Sequence, residues 1–468
     1  MGTTSAIEYD AETAEVWGGV LGTVFFLMSA MALAGPAEDG RLAPTEALGD
    51  SVTAELVAAA RASDGGYALL ADLCDNIGAR LAGSEALEKA VEWARNELGR
   101  AGAERVWTEP VMVPHWERGE EQAAMLKPRK QVLQILGLGG TVSGDVEGDV
   151  IVVSKLEDIG PEVNGKVVLF NVPMADAIPA VHGYGAAVGA RVRGPSLAAH
   201  HGALAAMVRS VTTRSLATPH TGATVYEEDT PRIPAVAVTT EDADSMARIL
   251  ASGGSVRVRI KTSGVQHPDA LSHNVIGEIK GKKRPREVVL IGAHLDSWDV
   301  GQGAHDDGAG VVEVIEALRV ISQSGHRPDR TIRVVLFTNE ENGLRGGIAY
   351  AEAHPKTRRE VHVAAMESDL GGGPPRFWTA EGSDSDMAWL RRSVELLGMP
   401  VVDGGGGADI RPLGEAGVLR IGFRPDDSRY FDIHHTRADT LDKVDAQDLS
   451  EATAAIVGLA WRLATTDR

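Results

Sequence analysis

The sequence has 468 residues, with 46 Lys and Arg against 66 Asp and Glu for a net charge of −20, and a single cysteine. At roughly 150 residues per domain the length predicts two or three domains with sizeable cores, and 43% hydrophobic with 24% charged residues argues against disorder. The acidic balance argues against nonspecific binding to nucleic acid or to an anionic membrane face, both of which need a basic patch. Cys74 alone permits neither an intrachain disulfide nor a cysteine-built zinc site, so any metal must be held by His, Asp and Glu.

The first feature along the chain is the uncharged run at residues 16–34, VWGGVLGTVFFLMSAMALA, which ends in the small-x-small pattern Ala32-Leu33-Ala34. It has the form of a secretory h-region, although Glu8, Asp10, Glu12 and Glu15 precede it where an export signal normally begins positive. The expectation is a cleaved signal with a periplasmic or secreted product, or a membrane anchor if the segment is retained.

Residues 45–102 carry apolar positions at three- and four-residue spacing, with Ser84 as a helix N-cap and Gly102 as a stop. From about residue 126 to 263 the texture changes to short β-branched runs such as DVIVVS, GKVVLFNVP, RIPAVAVTT and VRVRIKT, separated by turn residues. Among them lies an Ala-rich helix, SLAAHHGALAAMV. This stretch is predicted to be a separate β-rich domain. After Pro268 strands, loops and helices alternate, the pattern of an open α/β sheet.

Three apolar strands are predicted in that last part: EVVLIGA (287–293), TIRVVLFT (331–338) and EVHVAAM (360–366). His294 and Asp296 follow the first, Glu340 and Glu341 the second, and Glu367 and Asp369 the third. Ligands collect beyond the carboxyl ends of strands in such sheets, so acids and an imidazole converge on one edge. Two ions about 3.5–4 Å apart need a bridging carboxylate, further ligands for each ion and a base for water. His294, Asp306, Glu341, Asp369 and an imidazole from YFDIHHTRADT can fill those roles, with Asp296 placed to orient His294. Taken singly, Asp306-Asp307-Gly308 reads as a turn or N-cap, Asn339-Glu340-Glu341 as a helix start and His434-His435 as surface histidines. Their conjunction favours a metal site.

The runs HLDSWDVGQGAHDDGAG (294–310), NEENGLRGG (339–347), MESDLGG (366–372) and HHTRADT (434–440) resemble the cocatalytic di-zinc aminopeptidase and carboxypeptidase superfamily. The likeness extends to VPHWERGEEQAAML (113–126), MVRSV (207–211) and TPHTG (218–222), and so covers the chain from about residue 50 onward. It implies an open mixed-sheet α/β exopeptidase domain, in segments 45–125 and 264–468, interrupted by a protease-associated-like insert at 126–263. It also implies two zinc ions: His294 and Asp369 on one, Glu341 and His435 on the other, Asp306 between them, Glu340 as general base to a zinc-bridging hydroxide, and Asp296 and Asp409 in support. His435 is preferred over His434 because it directly precedes the Thr436-Arg437-Ala438-Asp439-Thr440 pattern. Asn339 and Ala408 depart from the usual neighbours of the base and of Asp409, and neither departure removes a ligand.

The implied substrates are small unblocked peptides, chiefly dipeptides, with Tyr430 and His434 as further contacts; a broad aminopeptidase is the runner-up. A metal-free receptor-like ectodomain and a single-zinc glutaminyl cyclase-like acyl transferase are the more distant alternatives. A homodimer is implied by the resemblance alone. HWERGEE and Cys74 have no role at this level, Cys74 reading as a core residue.

Overall fold

The computed structural model describes residues 40–49 and 51–468, so the apolar segment at 16–34 lies outside the described residues. Two eight-stranded sheets organise the chain. The first contains β1 (Arg105–Glu117), β2 (Val265–Ile279), β3 (Arg284–His294), β4 (Arg330–Phe337), β5 (Val361–Ser368), β6 (Pro375–Glu381), β7 (Val401–Asp403) and β8 (Leu419–Pro425), in the order β1-β2-β4-β3-β5-β8-β6-β7. β4, β3, β5 and β8 run parallel, while β1, β2 and β6 are antiparallel to their inner neighbours. The fold is therefore the expected mixed α/β sheet.

Every residue of β4 and nearly all of β5 are buried. That is why these strands read as largely apolar, with VVLF and VAAM within them: helices cover both faces of a parallel sheet. One face packs on α1 (Glu85–Arg100), α2 (Ala309–Gln323) and α4 (Ala446–Thr465), the other on α3 (Arg345–Ala353). The N-terminal helical reading has the same local origin, since Ser84 Oγ accepts from the Leu87 N–H at the start of α1, and Gly102 takes a left-handed φ of +90° just past its end.

The chain leaves the first sheet after Glu117 and returns at Val265. In between it builds the second sheet from strands lying between Glu121 and Thr262, with apolar clusters on both faces. The Ala-rich stretch there departs from the sequence reading. Helix Gly194–His200 ends before Gly202, whose φ is +80°, and Ala205–Arg209 is a buried strand. Glycine in that conformation stops the helix, and the burial of AAMV between two parallel strands overrides its helix propensity. Among the described residues, no helix is long and apolar enough to cross a membrane.

Candidate metal centre and active site

From β3 the chain crosses to β4 on one side and then to β5 on the other. The carboxyl end of β3 is thus a switch point, where a crevice opens outside the sheet. His294 is the last residue of β3, Asp369 directly follows β5, and Glu340 and Glu341 stand in the turn after β4. His434 and His435 follow the short helix after β8, and Asp306 sits in the loop that leads into α2.

These side chains meet around Asp306, which is 5% exposed. Its Oδ1 is 3.2 Å from His294 Nε2, which is also 3.3 Å from Asp369 Oδ1. Its Oδ2 is 3.2 Å from His435 Nε2, which in turn is 3.1 Å from Glu341 Oε2. His434 stacks on His435 at 3.6 Å between ring centroids, with its Nε2 3.4 Å from the same Oδ2 and no contact to Glu341 among the ion pairs formed there. One carboxylate therefore has a separate His-and-acid pair at each oxygen.

Main-chain carbonyls aim both imidazoles. His294 Nδ1 lies 3.0 Å from the Asp296 carbonyl oxygen and His435 Nδ1 lies 3.2 Å from that of Thr221. Since a carbonyl only accepts, the His294 ring carries a proton on Nδ1 and faces Asp306 with its Nε2; the His435 Nδ1 shares its carbonyl with Arg191 Nη1, 3.3 Å away, which can only donate. The Asp296 carboxylate is 3.8 Å from the His294 ring and acts elsewhere, accepting from the N–H groups of Glu340 and Glu341 at 3.0 and 3.3 Å. Asp409 is buried, with neither carboxylate oxygen hydrogen-bonded. Tyr430 is buried, its ring 5.0 Å from that of His434.

Further neighbours complete the site. Asp439 accepts from the N–H groups of His305 and Asp306, and Asp307 from those of His294 and Gly310, so the two acids fix the loop around Asp306. Glu367 accepts from the N–H groups of Ala408, Asp409 and Ile410. From a short helix, Gly189–Val192, in the stretch that builds the second sheet, Arg191 donates to the Thr221 carbonyl and to Tyr184 Oη and reaches His435 Nδ1. Arg118, within HWERGEE, pairs with Asp299 and Glu121 and donates to Gly137 O and Thr221 Oγ1. Trp298 lies between His435 and Gly139, where any side chain would run into the indole.

The electrostatics show what this pocket needs. Burial pushes Glu341 up to about 7, aided by the Asp306 carboxylate. Burial and the carboxylates of Asp369, Glu341 and Asp409 push Glu340 well above the usual carboxyl range. Burial alone would depress His294, but Asp369 and Asp306 outweigh it and hold the imidazole well above its ordinary value. Gathered buried carboxylates of this kind require cationic compensation. Asp306 Oδ2 and Glu341 Oε1 are buried without a hydrogen-bond partner, and the convergent donors are imidazole nitrogens and carboxylate oxygens with no sulfur. That donor set fits zinc.

The model of peptidase family M28 matches residues 274–460, the stretch that carries all these strand-end groups. Carboxypeptidase Q of Xenopus laevis is 41% identical over 83% of this chain and 83% of its own length. A solved structure described as a peptidase M28 precursor from Shewanella amazonensis superposes with a TM-score of 0.85 at 36% identity, over 89% of this chain and 97% of that one. A zinc aminopeptidase from Bacillus subtilis shares the fold, with a TM-score of 0.63 at 19% identity over 86% and 96%. The chain belongs to the carboxypeptidase Q family.

Proposed function

We propose that this protein is a zinc-dependent exopeptidase that hydrolyses short unblocked peptides, chiefly dipeptides, in a centre built for two zinc ions. His294 and Asp369 would hold one ion and Glu341 and His435 the other, with Asp306 between them. The observation that carries this reading is the division of Asp306, whose Oδ1 faces His294 and whose Oδ2 faces His435. When bound, zinc supplies Lewis acidity toward the peptide carbonyl and makes water acidic enough to react near neutral pH.

The family resemblance assigns Glu340, in the turn after β4 beside Glu341, as the general base. It takes a proton from the attacking water and returns it to the leaving amine nitrogen. Its environment raises its proton affinity, which suits a group that must carry a proton and then release it. Asp296 holds the main chain of Glu340 and Glu341 in place, while Asp307 and Asp439 brace Asp306. Tyr430 and His434 wall the crevice where a short peptide would lie, and the name of the Xenopus laevis relative supports recognition of a peptide's carboxyl end.

We further infer a catalytic domain formed by 45–125 and 264–468 and a protease-associated-like insert at 126–263, whose first strand begins a few residues earlier than that boundary, at Glu121. The insert's own sheet and apolar clusters support this division. Export, read from residues 16–34, and homodimerisation remain part of the same proposal. The test is a panel of free, amino-blocked and carboxyl-amidated dipeptides, with zinc measured in the same preparation. Cleavage of the free dipeptides alone supports the proposal. Cleavage of the amides makes it an aminopeptidase, glutamine cyclisation makes it an acyl transferase, and neither zinc nor turnover makes it a binding ectodomain.

A further inference from the structure

We propose that His115, Glu117 and His267 form a separate zinc-class metal site where the chain passes between its two sheets. His115 and His267 are directly opposed across the antiparallel pair β1–β2, and Glu117, two residues beyond His115, shares that face of the ribbon. A register shift between Val113 and His115 re-aims the strands at this point. The two imidazoles stack with centroids 4.5 Å apart, and the Glu117 carboxylate spans them, Oε1 3.5 Å from His115 Nε2 and Oε2 3.1 Å from His267 Nε2. All three donor atoms lie within 4.8 Å of one another.

Two observations favour a cation over an ordinary surface cluster. His267 Nε2 is buried and, among the described residues, makes no hydrogen bond, although Glu117 Oε2 lies 3.1 Å away. Its nitrogen is thus available to a ligand. The scaffold also holds His115 in place: Gly83, at φ +86°, lies so close that a Cβ there would meet His115 Cα, Cβ and Cγ at 2.7–2.9 Å, and Gln266 Nε2 donates to the His115 carbonyl. Two imidazoles and one carboxylate on a fixed ribbon match a borderline divalent ion and leave a position open to water. Hard cations such as calcium prefer six to eight oxygen ligands, which this site does not offer.

The location gives the site a consequence. Glu117 ends β1 just before the chain enters the second sheet, and Val265, two residues before His267, opens β2 just after it returns. Arg118, the next residue along, ties this junction to Asp299 and Thr221 beside the proposed active site. A metal held by His115, Glu117 and His267 would clip both crossing strands together and stiffen the joint that carries Thr221 to His435.

The test is zinc content at a buffered micromolar free-zinc concentration, measured on the full-length protein and on His267→Ala and Glu117→Ala, with dipeptidase activity followed alongside. Glu117 has a 64% exposed side chain, so its replacement keeps the experiment decisive should His267→Ala fold poorly. The expected result is one fewer zinc per chain in each variant, with turnover at saturating substrate unchanged. Added zinc should raise the unfolding temperature of the parent protein further than that of either variant. Equal zinc content in parent and Glu117→Ala overturns the proposal. That result would leave the catalytic reading standing, because that reading is tested on activity and on other residues.

Discussion

Asp296→Asn tests whether the turn carrying Glu340 and Glu341 is held by a single buried carboxylate. Asp296 is fully buried and accepts two main-chain N–H groups, one on each oxygen. Asparagine keeps one acceptor and turns an amide NH2 toward the other N–H, so one charge-assisted bond is lost and a buried donor is orphaned. Such bonds contribute about 1.5–3 kcal/mol, and an orphaned buried donor costs about 1–3 kcal/mol. If about 2–3 kcal/mol of this appears as displacement of the turn, kcat/KM falls roughly 30- to 150-fold, at about 1.4 kcal/mol per tenfold. Global stability should fall less, because burial raises the Asp296 carboxyl above its usual range and a neutral side chain relieves that penalty. The assay is kcat/KM on a free dipeptide, with zinc content and thermal unfolding measured on the same sample. A variant within about twofold of the parent at full zinc occupancy refutes the positioning role of Asp296.

Three further outcomes are expected. Glu313 lies in the core where, among the described residues, Ser368 Oγ alone donates to it, and burial pushes its carboxyl up to about 8. The folded state therefore keeps a proton that the unfolded chain has released, so stability falls as pH rises between the ordinary glutamate value and about 8, by at most about 1.4 kcal/mol per pH unit. Denaturant titrations across this window should show that slope, and Glu313→Gln should flatten it and be the more stable form at pH 8. Gly139→Ala drives a methyl group into the Trp298 ring beside His435; unfolding measurements should show a loss of about 1–3 kcal/mol, and kinetic assays a lower kcat. Arg191→Met removes the donors on Thr221 O and Tyr184, so chelator competition should show weaker zinc retention while circular dichroism stays that of the parent.

The site was legible where chemistry sits at the ends of apolar strands. His294 ends, and Glu340, Glu341 and Asp369 follow, a buried parallel strand whose largely apolar run announces it. Asp306 and His435 were harder, because a turn and a histidine pair are common in other contexts; the family likeness assigned them. The contacts that were not legible join residues far apart in sequence. The Nδ1 of His435 meets a carbonyl 214 positions earlier, in a loop between strands of the second sheet, and a backbone oxygen leaves no trace in residue type. Asp296 was read as the acid that orients His294, but residue type could not tell its carbonyl, which meets the ring, from its carboxylate, which meets the Glu340 turn. The role of HWERGEE emerged only in three dimensions, where Arg118 ties the two sheets together and His115 faces His267.

The central claim, a zinc centre served by Glu340 as proton carrier, is tested most directly by Glu340→Gln. Zinc per chain and kcat on a free dipeptide should be measured together, before and after chelation and zinc readdition. The account predicts parent-like zinc content, a kcat lowered by about 10²- to 10⁴-fold, and recovery by readded zinc in the parent alone. Near-parental turnover in Glu340→Gln, or full parental activity after zinc has been stripped, would contradict it.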